Sequence, residues 1–247
     1  MYLNQDNLHV ETSSTGARIT TLQLGAEHFF YPQQFVEKDL GIVKRGGMHI
    51  CSPVFGPSEG KGIFSKAPQH GELRDIIWDS RVSPDAPIHN NVTYSSRYKK
   101  WGADLLYGVD YLVKENRLSI CAGVTNCGLK PTTIELGLHP YFNAPNGGRI
   151  TFSSSELAGS PIEINSAYGP KIFPACEVIE ILLHGIGLVK IRLGHLFKDG
   201  FVCVWTDWRR KYFCAELLLT YEDYSPGVVL DSGEQLKALL SMSFNHS

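Results

Sequence analysis

Short stretches that alternate apolar and polar residues recur along most of this chain, and helical periodicity is almost absent. Ala17–Leu24 (ARITTLQL) alternates, and a turn at Gly25 leads to Glu27–Tyr31 (EHFFY), which reads as a hairpin. Asp75–Val82, Asn91–Tyr98, Leu105–Val113 and Leu118–Thr125 follow, the last two joined by the polar turn Lys114–Arg117. Pro131–Leu138, Gly187–Leu193, Gly200–Thr206, Tyr212–Leu218 and Leu236–Phe244 continue the series. A period of two sends successive side chains to opposite faces, so each strand has one face to bury and the sheets must stack. Only Tyr31–Leu40 reads as a short helix. The pattern predicts an all-β sandwich or barrel, and the length of 247 residues suits a single domain spanning 1–247 with a sizeable core.

Composition removes several function classes. The 23 basic and 25 acidic residues leave a formal net charge of -2, which gives no footprint for nucleic acid or an anionic membrane. No apolar run approaches the roughly 20 residues of a membrane span. Met1–Val10 has no basic head followed by an apolar stretch, which predicts a cytoplasmic protein. The six cysteines show no zinc or redox spacing, and Cys121, Cys203 and Cys214 lie in apolar runs, so reduced core residues are expected. Phosphate-loop, dinucleotide, His-Glu-x-x-His and Gly-x-Ser-x-Gly signatures are missing. Any chemistry therefore rests on groups dispersed over strands and loops. The irregular stretch Gly46–Gln69, with Phe55, Phe64 and several prolines, reads as an ordered loop that lines a site.

Four segments stand out: Arg45-Gly46-Gly47 with Ser52–Pro57; Gln69-His70-Gly71-Glu72-Leu73-Arg74 with Trp78; Gly137–Asn143 (GLHPYFN); and Val204-Trp205-Thr206 with Phe213–Glu216 and Leu230–Glu234. In this order and spacing, from about Gly25 to the C-terminus, they resemble the aldose 1-epimerase family, in particular its glucose-6-phosphate 1-epimerase branch. The resemblance implies a β-supersandwich of two large antiparallel sheets with a sugar-binding cleft. It implies an isomerase without cofactor or metal, acting on a small-molecule sugar or sugar phosphate, as a monomer or homodimer. It gives Glu216 the role of base and His139 that of acid. It also sets His70 against the sugar, and Arg45 and Arg74 toward a substrate phosphate. The chain departs from the family where Leu217 and Leu218 follow the base in place of Pro and Trp, and where Glu72 follows His-Gly in place of a large apolar residue. A further sugar-binding acid is open among Glu177, Glu180 and Asp207.

The chemistry fits these residue types. Anomer exchange opens a hemiacetal: one proton leaves O1 and another reaches the ring oxygen, which a carboxylate and an imidazole can do together. The pair is expected about one sugar ring apart, facing across a cleft. Rival readings exist for each residue. Glu216 could be half of a structural ion pair, His70 could brace the long loop, and Arg45 and Arg74 could pair with Glu72 or Asp75. His28, His49, His89, His184, His195 and His246 carry no motif and receive no role. The alternatives to a mutarotase acting on a hexose or hexose 6-phosphate are a non-catalytic carbohydrate-binding protein on the same scaffold and a glycosidase or lyase. A glycosidase would need a second carboxylate flanking the bond.

Overall fold

A computed structural model describes residues 1–38, 41–82, 90–153, 161–220 and 227–246. Among them the only α-helix is the four-residue segment His195–Lys198, and the expected all-β supersandwich is what forms. The first nine-stranded sheet runs Tyr2–Gln5, Leu8–Ser13, Arg18–Leu24, Met48–Cys51, Gly137–Asn143, Tyr212–Leu218, Phe201–Asp207 and Lys171–Pro174, with the short strand Glu27–His28 on Arg18–Leu24. The second runs Ile162–Ile164, Gly148–Phe152, Val178–Leu183, Gly187–Leu193, Gln235–His246, Arg117–Asn126, Ala103–Lys114, Asn91–Lys100 and Asp79–Arg81. The pairings in both sheets are antiparallel. No helix of the described residues is long and apolar enough to cross a membrane.

One continuous core lies between the sheets. Ile19, Met48, Leu138, Phe213 and Leu217 of the first sheet share it with Val109, Ile120, Ile181, Ile191 and Met242 of the second. Strands of the second sheet alternate buried and exposed residues, as in Ala103–Lys114 and Val178–Leu183, because their outer face meets water. Three neighbouring strands of the first sheet break that alternation. Met48–Cys51 and Tyr212–Leu218 are buried at every position, and Gly137–Asn143 at all but its last. Their second face is covered by the chain between 52 and 74 and by a small hairpin.

That hairpin corrects the helix expected over Tyr31–Leu40. Gln34–Lys38 is a strand paired with Gly41–Arg45, with Val36 opposite Val43; Leu40 lies outside the described residues, as does His89. A helix this short is marginal in water, whereas the hairpin gains a cross-strand partner at each of five positions. In Asp75–Val82 only Asp79–Arg81 is a strand, and Trp78 instead enters the core with its indole N–H on the Leu73 carbonyl at 3.0 Å. Of the cysteines expected in the core, Cys203 and Cys214 are buried; Cys121 is half-buried on the outer side of its sheet.

Candidate active site

The buried second face of the first sheet carries the polar groups. On Gly137–Asn143, Leu138 points to the core, so His139 points to the cleft. Its register partner on Met48–Cys51 is His49. On the other side the pairing of Leu138 with Leu217 and of Gly137 with Leu218 places Glu216 beside His139. Glu216 is in turn paired with Cys203. One row across four strands is therefore His49, His139, Glu216, Cys203; the last three line a cleft of about 750 Å³, and His49 is buried beside His139. Arg45, Phe55, Lys61, His70, Arg74, Tyr141 and Trp205 also line it.

His139 and Glu216 do not face each other across a sugar's width. His139 Nε2 lies 3.1 Å from Glu216 Oε1, and both side chains are 2% exposed. The expected separation fails because the residues are side-by-side partners on adjacent strands, where Cβ atoms stand only about 5 Å apart. Burial raises the Glu216 pKa to about 8, although the Trp205 indole, which donates to Oε1, and the Arg45 charge both pull it down. Burial also holds His139 well below the ordinary imidazole value, assisted by His70 and Arg74. The pair thus holds one proton near neutrality, shared across a single contact, and titrates as a unit. His139 stacks on Tyr141 at 4.5 Å and on His49 at 4.6 Å, and the two contacts fix its plane.

The long loop brings His70 to the same place. Gly71, at φ +72°, sits where a Cβ would fall 1.9 Å from the Ser52 carbonyl oxygen, so only glycine lets the two ends of the loop touch. The His70 ring lies 5.3 Å from the His139 ring. Its Nδ1 accepts the Gly56 N–H at 3.3 Å, which leaves the proton on Nε2. Burial lowers its pKa to about 3, helped by Arg74, Arg45 and Lys61, so it offers the cleft a neutral N–H donor. The loop is tied down from below by Glu135, whose Oε2 accepts Phe55 N–H at 2.5 Å and Lys61 Nζ at 2.6 Å.

Both arginines reach the cleft. Arg74 Nε lies 3.5 Å from the exposed Asp75 carboxylate, while Glu72 turns away to Tyr98 and Lys100. Arg45 has no ion pair among the described residues, and its buried Nε lacks a hydrogen-bond partner. None of the three acids left open in the sequence lines the cleft: Glu180 pairs with Lys190 and Asp207 with Arg210. The departures from the family pattern also fall mostly elsewhere. Leu217 is in the inter-sheet core and Glu72 is outside the cleft, while Leu218 packs against Phe55.

Sequence reading missed His49, Lys61, Glu135, Tyr141 and Trp205 as parts of the site. Tyr141 and Trp205 sat inside quoted motifs, Tyr141 two residues along the strand from His139 and Trp205 on the strand beyond that of Glu216, and period two would have placed Tyr141 on the His139 face. His139 Nε2, Cys214 Sγ and Glu216 Oε1 lie within 4.8 Å of one another, a donor set that suits zinc by type. Burial raises the Cys214 and Glu216 pKa values, and Arg45, Lys61 and Arg74 keep the cleft cationic, so the set is better built to hold a proton than a dication.

Comparisons with known proteins agree with this picture. The family model for aldose 1-epimerase matches residues 2–166. A protein of Synechocystis sp. PCC 6803 superposes with a TM-score of 0.80 at 15% identity, over 100% of this chain and 96% of its own. A galactose mutarotase related enzyme of Lactobacillus acidophilus and a galactose mutarotase-like protein of Lactobacillus casei each give 0.75 at 15% identity over 99% of this chain, and over 97% and 99% of theirs. Comparison with curated protein sequences gives no match. These structures share the fold, and the family model covers well over half of the sequence: the chain belongs to the aldose 1-epimerase family.

Proposed function

We propose that the protein is a mutarotase that interconverts the anomers of a hexose 6-phosphate, with residues 1–247 acting as one domain. The observation that carries this reading is the His139–Glu216 contact, buried and sharing one proton at the floor of a sugar-sized cleft whose charged rim is basic. O1 and the ring oxygen are both attached to C1, so two groups in contact can serve both from one side. With the pair's proton passed from Glu216 to His139 across their 3.1 Å contact, Glu216 accepts the O1 proton while His139 delivers one to the ring oxygen; the C1–O5 bond breaks and the aldehyde forms. Rotation about C1–C2 and reversal of the two transfers close the other anomer. His70 holds a sugar hydroxyl through Nε2–H. Arg45 and Arg74 grip the phosphate by charge-assisted, bidentate bonds. A glycosidase is disfavoured because, among the described residues, the cleft lining includes only one carboxylate, that of Glu216.

The test is polarimetry of freshly dissolved α-glucose 6-phosphate and α-glucose. Wild type is expected to accelerate both, with kcat/KM favouring the phosphate. Arg74→Ala is expected to shrink that preference at least tenfold, the usual consequence of losing about 1.5–3 kcal/mol of charged hydrogen bonding. Equal efficiency on both sugars in wild type would leave a free-aldose mutarotase, and acceleration of neither would favour a carbohydrate-binding protein.

The pH dependence follows from the shared proton. The active form is the one-proton state of the pair, reached when the proton that burial leaves on Glu216 passes across the contact to His139. Above about 8 that proton leaves and activity falls; well below the ordinary imidazole value a second proton binds and activity falls again. Trp205 stabilises the carboxylate through its N–H, so Trp205→Phe is expected to move the basic limb to higher pH. Rate profiles on glucose, whose own groups do not titrate there, check this. A basic limb that does not move in the variant would show that Trp205 leaves the carboxylate unaffected.

A further inference from the structure

Arg18 is a charged group that the site described so far leaves unexplained. It opens the strand Arg18–Leu24, and its neighbour Ile19 is paired with Met48 inside the core. Alternation therefore sends Arg18 to the sheet face shared with His49 and His139, behind the cleft lining and within electrostatic reach of Tyr141 and Arg74, which do line the cleft. Its exposure is 2%, and its Nε and Nη1 have no hydrogen-bond partner. Burial pulls its pKa down, yet a guanidinium stays protonated at any working pH. A buried, unpaired cation is among the most costly things a fold can contain.

Its neighbours deepen the imbalance. Arg74 lowers the Arg18 pKa further, and Lys44 has its own pKa lowered by burial and by Arg18. The acid that acts on all three, Asp75, is largely exposed and lies 3.5 Å from Arg74. Both ring nitrogens of His49 are also buried without partners. The end of the row away from Glu216 thus gathers positive charge and open donors, and among the described residues no buried acid pairs with them.

We propose that Arg18 is the buried anchor of an oxyanion subsite at this end of the cleft, which receives the substrate's phosphate with Arg74 beside it. This rests on the sugar-phosphate reading above and adds a residue that no motif marks. The scale agrees: Arg18 lies two strand spacings from His139, roughly 10 Å at the backbone. A hexose with C1 over the His139–Glu216 pair, carrying a phosphate on C6 that meets the extended arginine side chain, bridges that span. Two N–H groups of one guanidinium fit two oxygens of a phosphate, a match that an ammonium does not reproduce.

The experiment compares wild type, Arg18→Met and Arg18→Lys by thermal melting in phosphate-free buffer, with inorganic phosphate, glucose 6-phosphate or glucose added, and by kinetics on both sugars. Inorganic phosphate is expected to raise the melting temperature of wild type and to inhibit turnover of glucose 6-phosphate competitively. Arg18→Met is expected to melt higher than wild type without phosphate, to lose the response to phosphate, and to show a KM for glucose 6-phosphate raised tenfold more than that for glucose. Arg18→Lys should fall between. Phosphate that stabilises wild type and Arg18→Met equally would overturn the proposal, as would phosphate that stabilises without competing. Failure of the functional reading looks different: a phosphate response that depends on Arg18, with no turnover of either sugar, leaves the anchor standing and removes the mutarotase.

Discussion

Glu216→Gln is expected to lower kcat for anomer exchange by a factor between about a hundred and ten thousand, the usual worth of one positioned proton acceptor. The amide has the same shape and can still accept the Trp205 indole N–H, so the sheet row stays in place, but it cannot take the O1 proton. Polarimetry against the spontaneous rate reads the loss, and a variant that retains near-wild-type turnover would remove Glu216 as the base. The same substitution has a signature in stability. The folded Glu216 pKa of about 8 lies above its unfolded value of 4.5, so the folded state holds a proton that the unfolded state has released. Stability from this group is therefore lost as pH rises through that interval. His139 is shifted the other way, and its contribution is lost only as pH falls below its unfolded value of 6.5. Between about 6.5 and 8 the Glu216 contribution acts without that opposition, so wild type should lose stability with rising pH there and Glu216→Gln should not. Urea titrations at several pH values measure the difference.

Glu135→Leu is expected to have the largest effect on stability. The Lys61–Glu135 pair spans 2.6 Å, with side chains only 11% and 7% exposed, and the same carboxylate oxygen holds the Phe55 N–H. Removing the acid leaves a buried N–H unsatisfied and takes the carboxylate away from Lys61. Breaking such a pair costs about 3–5 kcal/mol, which for a chain of this size lowers the melting temperature by roughly 6–20 °C. Phe55, Lys61 and His70 all sit on the loop that Glu135 secures, so KM should rise as well. Glu180→Leu is the control. Its partner Lys190 lies at 2.8 Å, but the side chains are 42% and 35% exposed, and such surface pairs are worth at most about 1 kcal/mol. Equal losses in the two variants would show that the loop is not anchored through Glu135.

The strands were legible because burial on one face writes a period of two into sequence, and Asn91–Lys100 through Arg117–Asn126 follow it closely. The hairpin Gln34–Arg45 was misread because a segment of about ten residues with Phe35 and Val36 adjacent satisfies either period over so short a window. His139 and Glu216 were legible as residue types in motifs. Their contact was not, since the register of two strands separated by more than seventy residues is set by the whole sheet rather than by either segment. Glu135 was missed for a related reason: its partners Phe55 and Lys61 lie 80 and 74 residues away in sequence. His49 and Arg18 sit singly among apolar neighbours; His49 lies on a strand buried on both faces, where a polar residue is itself the signal, and Arg18 opens the strand beside it.

Because His139 and Glu216 face each other on adjacent strands of one sheet, the distance over which their proton moves is set by the spacing between strands. Every strand that flanks them reinforces that spacing, and it owes little to the loops overhead. Many of the other residues that line the cleft, which we propose select the sugar, lie on those loops between Arg45 and Arg74. Substrate choice and proton transfer are thus written in separate parts of the chain, and the first can drift through insertions and substitutions while the second stays fixed by the geometry of a hydrogen-bonded sheet.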